Sequence, residues 1–482
     1  MATAAVIGAG PNGLAAAITV AAAGVETTVF ERNERVGGAC STAEVTLPGF
    51  KHDLGASVFP MGVVSPFFRS LSARAEAAPS AARKDDKHHW LGLDLPWIQP
   101  DAPCAHPLDD GTAVMLERGV AATADGLDRA DRERYIRTFG YLAEGFEELA
   151  AEILGPVVHL PRHPWLMARF GVGAVLSAAV EARRYEGPRA RALFAGMAAH
   201  SVLSLEAPAS AAVGLVLTAA AHGVGWPILK GGAQTLSDAL AGHLRAIGGR
   251  IETGVDVATL DLTADITLAD VTPRQMLRMA GGALPDGYRK QLEGFQYGAG
   301  AFKVDYALSE PIPWTAKECR RSATVHVCGS FEEVVASERT FATDKPFVLL
   351  VQPSLFDETR APAGKHTAWA YCHVPNGSSV DRLGDIERQI ERFAPGFAEC
   401  VLARSVMGPT GLEKWDSNLV GGDFSGGGMQ LKQLVFRPTP SLYRTPVKGL
   451  YLCGASTPPG GGVHGMAGFH AGQMALRDLG LG

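Results

Sequence analysis

The chain has 482 residues, 57 of them glycine and 30 proline, with a formal net charge of −6 and a pI of about 6.2. Hydrophobic residues make up 46% and charged residues 20%, ordinary for a globular protein long enough to bury a sizeable core. These figures exclude a disordered chain, a collagen repeat and a disulfide-stapled miniprotein, and they offer no basic face for a nucleic acid.

The seven cysteines (Cys40, Cys104, Cys319, Cys328, Cys372, Cys400 and Cys453) are odd in number and form no CxxC pair. That is the pattern of reduced thiols in a cytoplasm, not of a disulfide framework. No His/Cys cluster has zinc-site spacing, so no metal is expected. The N-terminus lacks the basic start of a signal peptide, and its apolar run is broken by Gly8, Gly10, Pro11 and Asn12. The longest apolar stretch, 196–221, is interrupted by His200, Glu206 and Pro208. It reads as a buried or surface-associated helix, short of the roughly 20 apolar residues of a membrane span. The expectation is a cytoplasmic protein with peripheral membrane contact at most.

Residues 4–7 form a short apolar run suited to a buried parallel strand. Gly8-Ala9-Gly10-Pro11-Asn12-Gly13 follows, then an alanine-rich helix from Leu14 to Ala23, and a second strand from Val25 to Phe30 closed by Glu31. This is a β-α-β unit with the dinucleotide fingerprint in its proper context. Gly8 allows the turn out of the strand, Gly10 lets backbone approach a pyrophosphate, and Gly13 lets helix and strand pack closely. The helix start, with Pro11 and Asn12, offers N–H groups and a positive dipole end to phosphate. Glu31 is placed to accept hydrogen bonds from a ribose.

The next residues, Glu31-Arg32-Asn33-Glu34-Arg35-Val36-Gly37-Gly38, read E-R-x-x-R-x-G-G. This resembles the extended FAD signature of the amine oxidase and phytoene desaturase superfamily. The resemblance implies that Gly37, Gly38 and Ala39 lie along the cofactor, with Arg32 and Arg35 as candidate phosphate partners. Residues 49–57 supply a further Gly-Ala-Ser loop, which in that family returns to the flavin. Residues 72–130 mix charge, proline and histidine, and the run around His88 and His89 reads as an exposed loop.

Arg132 to Leu154 has helical spacing with Tyr135, Phe139, Leu142 and Phe146 as its apolar stripe. With the stretch after it, this block reads as a helical cap over a substrate cavity. Ile228 to Gly232 leads into a helix over 235–247, then a strand at 250–253 and another at 255–257. The resemblance implies that Val257 faces the adenine. Alternation from Ala301 to Leu308 predicts a strand. Lys303 on it matches, by resemblance, a lysine that holds a water against flavin N5; the alternative is a surface lysine on an edge strand. Further strands are expected at 324–328, 346–352 and 367–373.

Near the C-terminus an apolar strand (450–453) runs into Gly454-Ala455 and the loop Gly460 to Gly465, which opens a last helix over 463–478. That helix start, with Gly462, Val463, His464 and Met466, would face the isoalloxazine and stabilise negative charge on a reduced flavin. Blocks 4–57, 226–275, 295–314 and 418–478 together resemble the phytoene desaturase-like (phytoene dehydrogenase-related) branch of the FAD-dependent amine oxidase superfamily.

The resemblance implies an α/β fold, in which a Rossmann-like FAD-binding domain of glutathione reductase/amine oxidase type is interleaved with a mixed-sheet and helical substrate domain. The expected division is 1–71, 225–275 and 418–482 for FAD, and 72–224 and 276–417 for substrate. It further implies non-covalent FAD, since no cysteine stands at the site of covalent attachment used by some members. The expected activity is hydride transfer from a C–H bond of a lipophilic, isoprenoid-type substrate to flavin N5, with oxygen or a quinone as electron acceptor. Lys303 and His464 are the candidate catalytic groups; the alternative for His464, and the favoured one, is a structural histidine capping the loop. Where amine oxidases carry an aromatic residue before the last helix, this chain has Gly465, which weighs against an amine or amino-acid oxidase. The same cofactor motifs would also serve a redox-neutral polyene isomerase or a non-catalytic flavin scaffold.

Overall fold

A computed structural model describes residues 2–73, 93 and 95–481 of the protein. His88 and His89, in the charged run after the first block, lie outside the described residues.

The first apolar run forms strand Thr3–Ile7, and the glycine loop turns it into helix Pro11–Ala21. Pro11 occupies the first helical turn, where its missing N–H has no intrahelical partner to lose. Strand Glu26–Glu31 pairs in parallel with the first strand. Three later strands join them in the order Leu450–Leu452, Ile266–Ala269, Thr3–Ile7, Glu26–Glu31, Arg250–Thr253, with every neighbouring pair parallel. A parallel sheet must be covered on both faces. Helix Pro11–Ala21 lies on it and packs in turn against helices Met466–Asp478 and Gln234–Ala246. Glycine permits both contacts of the first helix. A Cβ on Gly13 would lie 2.0 Å from the Gly8 carbonyl oxygen, and one on Gly468 would lie 1.8 Å from that of Asn12.

A second sheet of seven strands runs Val401–Met407, Gly300–Leu308, His366–Val374, Val348–Val351, Ser322–Val327, Ala102–Pro107, Ala113–Leu116. Its pairs are antiparallel except Ser322–Val327 with Ala102–Pro107. The last two strands come from the segment whose mixed composition gave no strand pattern. Gly300–Leu308 is buried along its whole length, so Lys303 is not on a solvent edge.

Three expected elements differ. The helix expected over Arg132–Leu154 is two, Arg132–Glu144 and Phe146–Ile153, divided at Gly145. The apolar stretch 196–221 is also split, between helices Pro188–Ala199 and Ala211–Gly223. Val255–Val257 is an extended loop, not a strand. The Val255 N–H still bonds the Glu31 carbonyl at 2.9 Å, but the chain then leaves the sheet and rejoins it as Ile266–Ala269. No helix among the described residues is long and apolar enough to cross a membrane. All seven cysteines are free and buried.

Candidate active site

The C-terminal ends of the parallel strands open onto a cavity of about 550 Å³, within the range of ligand-binding clefts. Gly8, Gly10, Pro11, Asn12, Glu31, Arg32, Gly38, Ala39 and Val257 line one side of it. Helix Pro11–Ala21 has no side-chain cap at Gly10. Backbones converge here, since a Cβ on Gly38 would sit 3.4 Å from the Gly10 Cα. Asn12 Oδ1 is buried without a hydrogen-bond partner. An uncapped helix start, bare backbone and an unpaired amide oxygen fit the phosphates and polar edge of a dinucleotide. The Glu31 carboxylate is already engaged, accepting from the N–H groups of Ala9 (2.7 Å) and Asn33 (2.9 Å), and so it also shapes the loop it faces.

Asp270, the first residue after strand Ile266–Ala269, accepts from the Gly13 N–H at 2.8 Å. Burial pushes its carboxyl up to about 7; the Gly13 N–H opposes that, while Asp416 and Glu31 add to it. Motif reasoning alone misses this residue. Its position at the C-terminal end of a parallel strand, the usual place for ligand contacts, is the signal that could have found it.

Lys303 also lines the cavity, at 4% exposure. Asp305, two residues on and therefore on the same face of the strand, forms a close ion pair with it. The Lys303 ammonium lies 5.4 Å from the Trp369 ring centroid. Burial pushes the Asp305 carboxyl up, and the Lys303 charge pulls against it. Behind the pair, His52 Nδ1 lies 3.7 Å from Asp305 Oδ1. Burial first, then the Lys303 charge, holds the His52 ring down to about 3, so this contact is not an ion pair at neutral pH. Arg360 is buried between Asp53 (2.6 Å) and Asp357 (3.0 Å) and ties the 52–57 loop to the second sheet.

Beyond Lys303 the cavity is walled by Val213, Leu217, Trp226, Leu349, Trp369, Tyr371 and Phe424. His200 enters at the break between helices Pro188–Ala199 and Ala211–Gly223, and its Nε2 is 2.9 Å from His326 Nε2. Burial holds the His200 ring down to about 3, a neutral imidazole in an aromatic chamber.

Six of the expected site residues do not line the cavity. Arg35 is exposed, because strand Glu26–Glu31 ends before it and the loop turns it outward. Gly13 and Gly37 lie behind the cradle and serve its packing; a Cβ on Gly37 would meet the Cys40 carbonyl at 2.8 Å. Gly454 sits against Asp270, where a Cβ would lie 2.7 Å from its Oδ1. His464 is a structural cap: its Nδ1 accepts from the Met466 N–H (3.1 Å) and its carbonyl from the Ser65 hydroxyl (2.6 Å). The last helix therefore begins at Met466, itself buried, and not at 463. Gly465 faces Phe67, Phe68 and Ala15, so this position points into packing and not into the cavity. Ala455, Gly462 and Val463 do line it.

A parallel nucleotide-binding sheet opens through one cavity onto a mixed sheet with a helical cover, the layout of a Rossmann-type oxidoreductase. Residues 6–71 match the family described as NAD(P)-binding Rossmann-like domain. Across nearly its whole length the chain is similar to pyridine nucleotide-disulfide oxidoreductase domain-containing protein 2 of Rattus norvegicus, 26% identical, covering 98% of this chain and 93% of that protein. It is also similar to the neurosporene-forming phytoene desaturase of Rhodobacter capsulatus, 27% identical, covering 97% and 92%. Among solved structures, putrescine oxidase shares the fold with a TM-score of 0.61 at 16% identity, covering 99% of this chain and 98% of that one. The chain is a homologue of the first two, and its first residues form a Rossmann-like nucleotide-binding unit.

Proposed function

We propose that the protein is an FAD-dependent dehydrogenase that takes a hydride from a C–H bond of a lipophilic, isoprenoid-type substrate. The observation that carries this reading is a single cavity that passes from a polar, glycine-built cradle, past Lys303, into a chamber of aliphatic and aromatic side chains. The full-length relative that desaturates phytoene supports the same substrate class.

In this reading FAD is held by Gly8, Gly10, Pro11, Asn12, Glu31, Arg32, Gly38, Ala39 and Val257, with 1–71, 225–275 and 418–482 as the nucleotide-binding half. When bound, the flavin supplies a two-electron hydride acceptor. The protein's own part is placement. Trp226, Trp369, Tyr371 and Phe424 exclude water and clamp an apolar chain, and Lys303 holds a polar contact at the junction of cradle and chamber. Binding is non-covalent. Cys40 lines the cavity, but burial pushes its thiol up to about 12 and its Sγ–H donates to the Ala233 carbonyl, so it stays an inert thiol. Oxygen or a quinone then takes the electrons.

Anaerobic mixing with a panel of polyenes, monoterpenes and amines tests the reading. Bleaching of the flavin absorbance by the hydrocarbons and not by the amines is expected. Bleaching by amines alone would overturn it, and isomerised polyene without bleaching would point to an isomerase. Acid precipitation should release all of the yellow chromophore into the supernatant.

A further inference from the structure

A hydride removed from a C–H bond leaves a proton behind, and an acceptor of two electrons takes protons up. Lys303 is 4% exposed and the chamber beyond it is walled by apolar side chains that carry no protons, so a relay of side chains behind Lys303 would serve these transfers. We propose that Lys303, Asp305, His52 and Thr46 form that route, a proton path running from the cavity through strand Gly300–Leu308 to His52, in the short strand pair of Thr42–Ala43 with His52–Asp53, and out at Thr46. The proposal rests on the flavin oxidoreductase reading above.

The four groups stand in file. Lys303 faces the cavity and pairs with Asp305 Oδ1. His52 Nδ1 lies 3.7 Å beyond that same oxygen. On the far side of the ring, His52 Nε2 is 2.8 Å from Thr46 Oγ1, and Thr46 is half-buried where the chain meets solvent. Burial is near complete along the inner part, with His52 and Asp305 each 1% exposed.

The central joint is short of hydrogen-bond partners. Buried polar atoms are almost always paired. Here two are not, one on each partner of the joint: His52 Nδ1 and Asp305 Oδ2 have no hydrogen-bond partner. In the tautomer whose Nε2–H donates to Thr46, Nδ1 presents a bare lone pair to the carboxylate; in the other, Thr46 donates and Nδ1–H faces Asp305. A 3.7 Å separation is too long for a hydrogen bond and too short to hold a water between. One proton on the carboxyl, with a small rotation of that group, turns the facing acceptors into a donor and an acceptor. Around His52, Lys303 pairs with Asp305, and Arg360 lies between Asp53 and Asp357, so two cations face three carboxylates.

Proton release is written with each charge restored. The Lys303 ammonium passes a proton to the Asp305 carboxylate, giving an amine and a carboxylic acid. The amine takes the proton left by the substrate. The acid gives its proton to His52 Nδ1 while His52 Nε2–H passes to Thr46, whose own hydroxyl proton goes to water. Release leaves the proton of His52 on Nδ1, and the passage in the other direction during reoxidation returns it to Nε2. One proton has moved from cavity to solvent, and no residue has changed charge. Uptake during reoxidation by oxygen or a quinone runs the same steps in reverse.

The test needs no substrate. The FAD-loaded full chain is photoreduced anaerobically and mixed with oxygenated buffer, or with menadione where oxygen is slower, in H2O and in D2O. The expectation is that His52→Gln and Asp305→Asn slow reoxidation by roughly tenfold or more, the usual reach of a lost proton-transfer group. The slowed reactions should show a larger solvent isotope effect than wild type, and added imidazole should restore the rate of His52→Ala. Thr46→Val, at a half-buried position, should give a smaller slowing of the same kind. Should His52 variants lose flavin on purification, Asp305→Asn and Thr46→Val carry the test. Wild-type rates in these variants would overturn the path, as would slowing with an unchanged isotope effect and no imidazole rescue, or failure of wild type to reoxidise with either acceptor. Failure of the substrate reading appears separately, as absent bleaching by hydrocarbons in a protein that still reoxidises through the path.

Discussion

Asp270 puts an ionisable group where a cofactor phosphate would approach. Its carboxyl caps the Gly13 N–H, and two more carboxylates, Glu31 and Asp416, face it, with Arg32 as the nearby cation. Because burial raises the folded-state value to about 7, the folded chain holds its proton while the unfolded chain has already lost it. Stability from this group is therefore present below the ordinary aspartate range and is lost as pH rises towards 7. Two outcomes follow for Asp270→Asn, which keeps an oxygen for the Gly13 N–H. The apo variant should melt higher than wild type at pH 8 and no higher at pH 4. FAD affinity of the wild type should fall as pH rises through about 7, as a carboxylate forms beside the diphosphate, while the variant stays flat. Fluorescence titration of FAD between pH 6 and 8.5 decides this, and parallel slopes would refute it.

At the same scale, sequence alone points to Lys303 through resemblance but leaves open a surface lysine. What settles its burial is the second sheet: the strand bearing it pairs on both sides, with Tyr371 and Met407 opposite. The partner Asp305 is legible by period-two spacing on the same face. His52 is not, since its contact with Asp305 crosses hundreds of residues of chain and depends on how two sheets meet.

At the level of elements, two loops after residue 420 form the cavity's remaining wall, and a buried arginine joins them. Arg437 donates to the carbonyls of Gly426 (2.7 Å) and Ala455 (2.9 Å), with longer contacts to Ser425 and Ser456. Asp423 accepts from the N–H groups of Gly298, Ser425 and Gly427 at 2.7 to 2.8 Å. Burial lowers the guanidinium to about 10, with Asp423 opposing, so Arg437 stays charged at neutral pH. A planar fork serves these carbonyls, and a lysine cannot reproduce it. Arg437→Met leaves at least two buried carbonyls unpaired, at about 1–3 kcal/mol each. We expect a lower Tm and loss of flavin during gel filtration, with Arg437→Lys intermediate. Full flavin content in Arg437→Met would show that the wall forms without the clamp.

Elements with strong local signals are readable from sequence, and those set by tertiary contact are not. The first β-α-β unit stands within three residues of its expectation at every boundary because its glycines, apolar runs and Ala-rich segment agree. The apolar stretch 196–221 misleads because periodicity persists across its break, where Val202 and Ala209 take positive φ. His200, which reads in sequence only as an interruption, stands at that break and faces the cavity. Residue types mark the last glycine loop as functional, yet only the fold shows that His464 and Gly465 turn away from the chamber.

The whole molecule hides a lipophilic chamber under helices, and one part of that cover is itself apolar and exposed. Leu160 is 92% exposed and Trp165 87%, with Val158, Val172 and Val175 also outward. Arg162, His163 and Arg169 are exposed among them. A monomer surface seldom displays such side chains together without a use. Apolar side chains and a tryptophan with two arginines close by in sequence suit the boundary of an anionic bilayer, where the indole sits among headgroups. A lipid surface would also be the reservoir of the substrate class proposed for the cavity. The protein is therefore expected to co-sediment with vesicles of phosphatidylcholine and phosphatidylglycerol. Leu160→Ser with Trp165→Ser should cut the bound fraction severalfold while flavin content and Tm stay near wild type, because neither side chain is buried. High salt should weaken binding only in part, since screening reaches the cations and not the apolar contacts. Equal sedimentation of wild type and the double variant would place the membrane contact elsewhere. No sedimentation of wild type at all would leave these side chains to a protein partner or a second copy of the chain.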